Sequence, residues 1–437
     1  MDSILENIKE RFFLHFPSFK YRNFNLFFFG QVVSVIGTWM QTTAQGWLVL
    51  QLTNSPFKLG LLSAIQYLPA LFLSLYAGVV VDKFSKRKIL LFTQSAFAVL
   101  AFVLGLLVSL NIVKYYQILI IAFLTGLVNT IDMPARQAFY IELVPKENLM
   151  NAITLNSSVA NLARIVGPMI SGLLIGAVGY QWSFYLNAMS FIAVIVGIFF
   201  IVERAQKPSR FSLKDLENVN DDIKSGVAYM RGIPIMVIAI VLFTIVNVFG
   251  LNFNVLIPVL AKDVYNLGST GYGLLMGVLG VGALAASLLL AAISYKGVKH
   301  SYLFLSAITL GITLLITGLI KSYSFVVVIT MISGFSMVVC MNTTNTLLQT
   351  SSSDEYRGRV MSIYSLIFLG FTLFGSLITG TLSDLVSVRF TYGFVGVVLI
   401  VSTFLIYFLL YRKIFKSTNK VSYPSTNYLL GRIFLKR

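Results

Sequence analysis

Twelve apolar stretches, each long enough to cross a bilayer, dominate the chain and leave it few possible folds. A transmembrane helix needs roughly 20 mostly apolar residues. Windows of about 19 residues place such stretches near 24–51, 57–81, 88–110, 117–137, 154–179 and 183–202, then 234–261, 271–294, 301–320, 324–348, 360–383 and 391–411. They lack the period-two alternation of a membrane β-barrel, so the spans are predicted to be helical. Only 11% of the 437 residues are charged, against about a quarter in soluble domains, so no sizeable soluble domain fits beside the spans.

The polar segments divide the chain into a leading segment 1–23, a six-helix half 24–202, a linker 203–233, a second six-helix half 234–411 and a basic tail 412–437. A net charge of +17 would raise nucleic acid as a partner in a soluble chain, but the charge is sorted by side. With the N-terminus in the cytoplasm, 27 Lys and Arg fall on that side and five on the other, and Arg164 lies inside a span. The positive-inside rule then places both termini in the cytoplasm, and anionic lipid accounts for the charge. No cleavable signal precedes the first span. The single cysteine, Cys340, and two distant histidines, His15 and His300, support neither a disulfide nor a metal site.

Two internal matches predict a duplication. Residues 167–172, GPMISG, match 375–380, GSLITG, at an offset of 208, and Gly60-Leu-Leu matches Gly273-Leu-Leu at 213. The two offsets fit a parallel repeat with one loop-length change.

Between spans two and three runs GVVVDKFSKRK, Gly78 to Lys88. This pattern resembles the signature loop of the major facilitator superfamily, and the similarity in layout covers nearly the whole chain. The resemblance implies an all-α membrane protein of twelve transmembrane helices in two pseudo-symmetric halves. It also implies that Gly78, Asp82, Lys83, Lys86, Arg87 and Lys88 belong to a cytoplasmic latch that breaks when the transporter turns inward. The physics suits a two-state device, since a carboxylate at a helix end and paired charges near low dielectric hold one geometry firmly. Ser85 stands where a second glycine is usual, and lysines replace two usual arginines, which weakens bidentate pairing.

Three charges fall within spans four and five, Asp132, Arg136 and Arg164. Each would cost about 3 kcal/mol at mid-bilayer if unpaired, so partners are expected. Asp132 has two readings. It is a proton site driving antiport, or a structural partner of Lys86, Arg87, Arg136 or Arg164 within the latch, and its depth near the cytoplasmic end favours the second. The run from Asp132 through Arg136, Pro145, Glu147 and Asn156 to Pro168 resembles the enterobactin-exporter-like branch, the transmembrane secretion effectors. Gly167, Pro168 and Gly172 are similar to the glycine-proline motif of antiporters, although Ala163 and Ser171 stand where glycines are usual. Packing alone also explains small residues and a proline on a membrane helix.

Gln31, Ser34, Thr38, Gln41 and Gln45 recur at 3-4-3-4 spacing, within about an 80° arc of one helix face. A polar stripe inside a membrane should face protein or water. Thr125 and Asn129 continue the idea in span four, Thr244, Asn247 and Asn254 in span seven, and Asn342 and Asn345 in span ten. These four spans line the central cavity in the superfamily that the chain resembles. The lining is amide-rich, with aromatics such as Trp39, Trp47, Tyr67 and Phe249 nearby and no acidic ring, and so suits a neutral or amphipathic substrate. Leu213, Leu216, Ile223, Val227 and Met230 give the linker an apolar stripe, predicted to lie along the cytoplasmic interface.

The expected protein is a monomeric secondary transporter in a bacterial inner membrane, working by alternating access. By the resemblance it exports a small molecule, such as a siderophore, drug or other amphipathic metabolite, in antiport with protons and with no cofactor. The same fold would also serve a lipid or lysolipid flippase. A membrane-embedded enzyme would need a nucleophile with its base, or a metal motif, that the spans do not supply. No phosphate-binding Gly-x-x-x-x-Gly-Lys-Ser/Thr loop is present for a built-in ATPase.

Overall fold

A computed structural model describes residues 13–201, 213–293, 297 and 299–411, with the backbone alone for Asp82, Tyr411 and residues 213–220. Residues 1–12, the start of the linker and the tail 412–437 lie outside the described residues. Among the described residues there is no strand. The first half comprises α1 (Arg22–Thr53), α2 (Pro56–Lys83), α3 (Lys86–Ser109), α4 (Tyr115–Leu143), α5 (Lys146–Ala177) and α6 (Gln181–Phe199). The linker helix α7 (Leu213–Arg231) follows. The second half has α8 (Pro234–Gly250), α9 (Phe253–Val259), α10 (Ser269–Ile293), α11 (His300–Leu319), α12 (Tyr323–Ser351), α13 (Asp354–Gly370), α14 (Thr372–Leu385) and α15 (Val388–Ile406).

Local chemistry fixes the helix ends. Ser55 and Ser85 precede α2 and α3 and accept hydrogen bonds from the amides of Lys58 and Lys88, at 3.2 and 3.4 Å, and Pro56 and Pro234 open their helices where no amide hydrogen is needed. The first half's short turns leave carbonyls that charged side chains satisfy. Arg87 donates to the carbonyls of Ile198 and Phe199 at the end of α6, at 3.2 and 3.0 Å.

Among the described residues the predicted spans fall on helices, and eleven helical stretches there are long and apolar enough to cross a membrane. Helix α1 equals them in length but falls short in apolarity, because its five-residue polar stripe is joined by Thr42, Thr43 and Gln51. Helix α4 runs six residues past its predicted end and α5 begins eight before its predicted start. Both extensions carry charges, Glu142, Lys146 and Glu147, which an apolar window rejects although a helix continues readily into water.

The two sequence matches meet across the interface between the halves. Gly172 of α5 lies against Gly273 of α10, and Gly60 of α2 against Gly380 of α14. A Cβ on either member of each pair would stand 3.0 Å from the other's Cα. The pairs are thus two copies of one crossing, related by exchanging the halves, and glycine is required because backbone meets backbone. Polar contacts reinforce the same end of the molecule. Ser269 Oγ donates to the Gly172 carbonyl at 3.0 Å. Lys262 reaches the Leu50 carbonyl at 3.1 Å and also the Asn54 side chain, at the C-terminus of α1. Asp384 accepts from Ser55 Oγ at 3.0 Å and from the Phe57 amide at 3.4 Å, at the N-terminus of α2.

The linker corrects one expectation. Rather than lying only along the lipid interface, α7 packs Val227 and Met230 onto a second-half cluster with Met236, Val360 and Tyr364. Tyr229 stacks on Tyr356 at 4.3 Å, and Arg359 pairs with Asp222 at 2.8 Å. The side chains of Leu213 and Leu216 lie outside the described ones.

Candidate functional site: a polar cavity beside a buried cation

A cavity of about 410 Å³ runs along the inner faces of α1, α2 and α4, with Phe97, Asn156, Asn187 and Phe191 added from α3, α5 and α6. Thr38, Gln41, Gln45, Thr125, Asn129 and Asn254 line it, as do Trp39 and Tyr67. The remaining expected positions lie elsewhere. Gln31 and Ser34 are buried in the first half, where Gln31 accepts a hydrogen bond from Arg136. Asn247 is fully buried and donates to the Ile367 carbonyl at 2.7 Å. It thereby adds a donor where α13 gives way to α14, beside the Phe371 amide that also donates to the Ile367 carbonyl at 3.0 Å. Thr244 bonds back to the Ile240 carbonyl on its own helix, Asn345 accepts from Gln349, and Asn342 is exposed and accepts through its carbonyl from Thr346. None of these six lines this cavity, whose walls come almost entirely from the first half, with Asn254 and Leu369 from the second. Trp47 stacks on Tyr272 at 5.3 Å, and Phe249 joins the apolar core.

The charges expected around Asp132 lie in three places. Asp132 is completely buried and accepts from Thr93 Oγ1 at 2.6 Å, from Gln94 Nε2 at 2.8 Å and from Arg136. The i, i+4 spacing brings the ion pair together on one helix face. Arg87 is engaged at the end of α6 and does not join Asp132. Nor does Arg164, whose guanidinium lies over the Trp39 ring at 5.4 Å. Among the described residues Arg164 has no ion pair or hydrogen bond, and its Nε is buried without a partner. A cation–π contact gives about 0.5–2 kcal/mol, less than the ~3 kcal/mol that an unpaired charge costs at this depth. A positive charge that is not fully compensated therefore lies against Trp39, a residue of the cavity wall, while Arg164 itself is not part of the lining.

Lys83 and Lys86 have partners, Lys88 is exposed, and the Asp82 side chain lies outside the described ones. Open space surrounds Gly78, so nothing in its packing demands glycine. The antiporter-like residues serve contacts between helices. A Cβ on Gly167 would meet the Trp39 Cβ at 2.5 Å, the Pro168 carbonyl faces Gly273, and Gly172 lies at the crossing with α10.

Several partners escaped the sequence reading. Thr93 and Gln94 hold Asp132, Asn187 donates to Gln41 at 2.7 Å, and Tyr140 donates to Asn156 at 2.8 Å. Gln94 and Asn187 did carry a signal: each is an isolated amide in an apolar span, and such a group needs a partner.

Comparison with known proteins agrees with this architecture. The profile of the transmembrane secretion effector family matches residues 15–429. The chain is 28% identical to the staphyloferrin A transporter of Staphylococcus aureus, covering 88% of this chain and 95% of the relative. It is 26% identical to the multidrug efflux pump Tap of Mycolicibacterium fortuitum (84% and 90% covered) and 25% identical to macrolide efflux protein A of Streptococcus pyogenes (87% and 95%). Among solved structures, a POT family transporter in complex with 5-aminolevulinic acid superposes with a TM-score of 0.71 at 12% identity, covering 90% of this chain and 96% of that one. A D-xylose-proton symporter gives 0.67 at 14% identity, covering 90% and 97%. The structural likenesses establish the major facilitator fold; with a symporter among them, they leave the direction of transport to other arguments.

Proposed function

Because the chain belongs to the transmembrane secretion effector family of major facilitator transporters, we propose that it exports a small molecule from the cytoplasm by alternating access, in exchange for protons. The observation that carries this reading is the polar cavity, which is closed at one end by contacts between the halves. With both termini in the cytoplasm, as the 27 to 5 distribution of basic residues argues, the closed end is the external one. The cavity then faces inward, ready to load. The multidrug and macrolide efflux proteins among the relatives support the outward direction. In a bacterium the membrane is the cytoplasmic one, and a single chain encloses the cavity, so the working unit is a monomer.

The test uses inverted vesicles, whose exposed face is the cytoplasmic one. Siderophores and macrolides that raise the purified protein's melting temperature are offered as labelled substrates. Uptake is expected under an inward-acid gradient and should collapse with a protonophore. Uptake that ignores the gradient would remove proton exchange; accumulation only in right-side-out vesicles would reverse the direction.

A further inference from the structure

We infer that the transported molecule is a carboxylate, held in the cavity by amide N–H groups that the protein leaves unspent and drawn toward Trp39 by the positive charge of Arg164 behind it. The inference rests on the transporter reading for the word transported, but the anion site itself stands on geometry. Two cavity amides have their oxygens occupied. Gln41 Oε1 accepts from Asn187, and Asn156 Oδ1 accepts from Tyr140, so each retains an NH2 group. Gln45 Nε2 and Arg136 Nε are buried without partners. All of these side chains line the cavity, and each retains at least one unspent donor. Gln66 and Asn129 also line it and make no hydrogen bond through either end of the amide.

Charge points the same way. Asp132 is the one carboxylate among the cavity's described walls, and Arg136 already neutralises it. Arg164 adds a positive charge with no counter-ion, parked on Trp39, a wall residue, and close enough to Tyr67, another, to act on it electrostatically. A guanidinium offers a planar fork that matches a carboxylate at two points. Low-dielectric walls of one sign concentrate counter-ions in a cleft. An anion moving in would supply the missing counter-charge and acceptors for the unspent donors together, whereas a cation would meet repulsion from Arg164.

The experiment reads anions at Trp39 without needing the natural substrate. In the full chain carrying Trp47→Phe and Trp182→Phe, Trp39 is the sole remaining tryptophan of three. Its fluorescence is quenched with iodide, an anion, and with acrylamide, a neutral probe of access. Arg164→Gln should lower iodide quenching by about threefold or more through loss of the local field while acrylamide quenching holds. Arg164→Lys should keep most of the iodide effect. Benzoate should relieve iodide quenching at lower concentration than phosphate or benzamide. Iodide quenching unchanged in Arg164→Gln, at equal acrylamide access, overturns the anion site. Phosphate acting below benzoate, or benzamide matching it, overturns the carboxylate assignment. Neither result depends on flux, so a failure here is distinct from a failure of proton-coupled export.

Discussion

Asp132 illustrates how a membrane helix can hold a carboxylate among protein partners. Its oxygens receive three donors, two neutral and one cationic, a fixed set of contacts within the protein. Substituting the carboxylate would leave part-buried Arg136 without its ion pair. Asp132→Asn is therefore expected to destabilise the protein while the dependence of transport on a pH gradient persists. Removing one member of a buried pair costs about 3–5 kcal/mol, and with Arg136 21% exposed the low end, about 3 kcal/mol, is expected. Thermal melting measures the first effect and vesicle flux the second; loss of gradient dependence in a folded variant would make Asp132 the coupling site. The sequence made the Asp132–Arg136 pair legible because four residues separate two opposite charges on a helix. It did not separate Arg164 from them, because sequence gives depth along a helix well but does not give the direction a side chain takes toward neighbouring helices.

The elements show a similar division. Span positions were legible because apolar length reports what lipid requires, and the repeat was legible as two short glycine matches. What those glycines do could not be read from one chain, since a crossing belongs to two helices. The break between α13 and α14 at Phe371 has no proline and is marked only by Gly370, one of 32 glycines in the chain, and it is served from outside by Asn247. This explains why a stripe of hydroxyl and amide residues in the second half proved to be only partly cavity lining. The crossing supports a prediction of its own. Gly380→Leu would drive a side chain into the Gly60 backbone, where even a Cβ has only 3.0 Å, and overpacking of this kind typically costs about 1–3 kcal/mol. The halves should part at that end. A cysteine at Leu59, which is buried, lines the cavity and sits beside the crossing, should then react faster with an impermeant maleimide added to intact cells, over the unreactive background of buried Cys340. An unchanged rate would show that the glycine pair does not hold this end shut.

At the scale of the whole molecule, the closed end has to be stable enough to seal and weak enough to open once in each cycle. Packing of the two glycine crossings supplies a close fit, and two charged side chains tune it. Lys262 sits where the carbonyls of α1 end, and Asp384 where the amides of α2 begin, so each charge complements a helix terminus in the opposite half. Such contacts contribute about 0.3–1 kcal/mol each at exposed sites. They share no partner, so their effects should add, and together they approach the ~1.4 kcal/mol that shifts a two-state population tenfold. Lys262→Gln and Asp384→Asn should each move the population modestly toward a state open at this end, and the double variant should approach a tenfold shift. Spin labels at Tyr116 and Leu319, exposed positions on α4 and α11 of opposite halves, would report it as growth of a longer-distance population. An unchanged distribution in the double variant would assign closure to the glycine crossings alone. The charges would then act only within their own helix ends, and the population of open states would be set by how readily backbone parts from backbone.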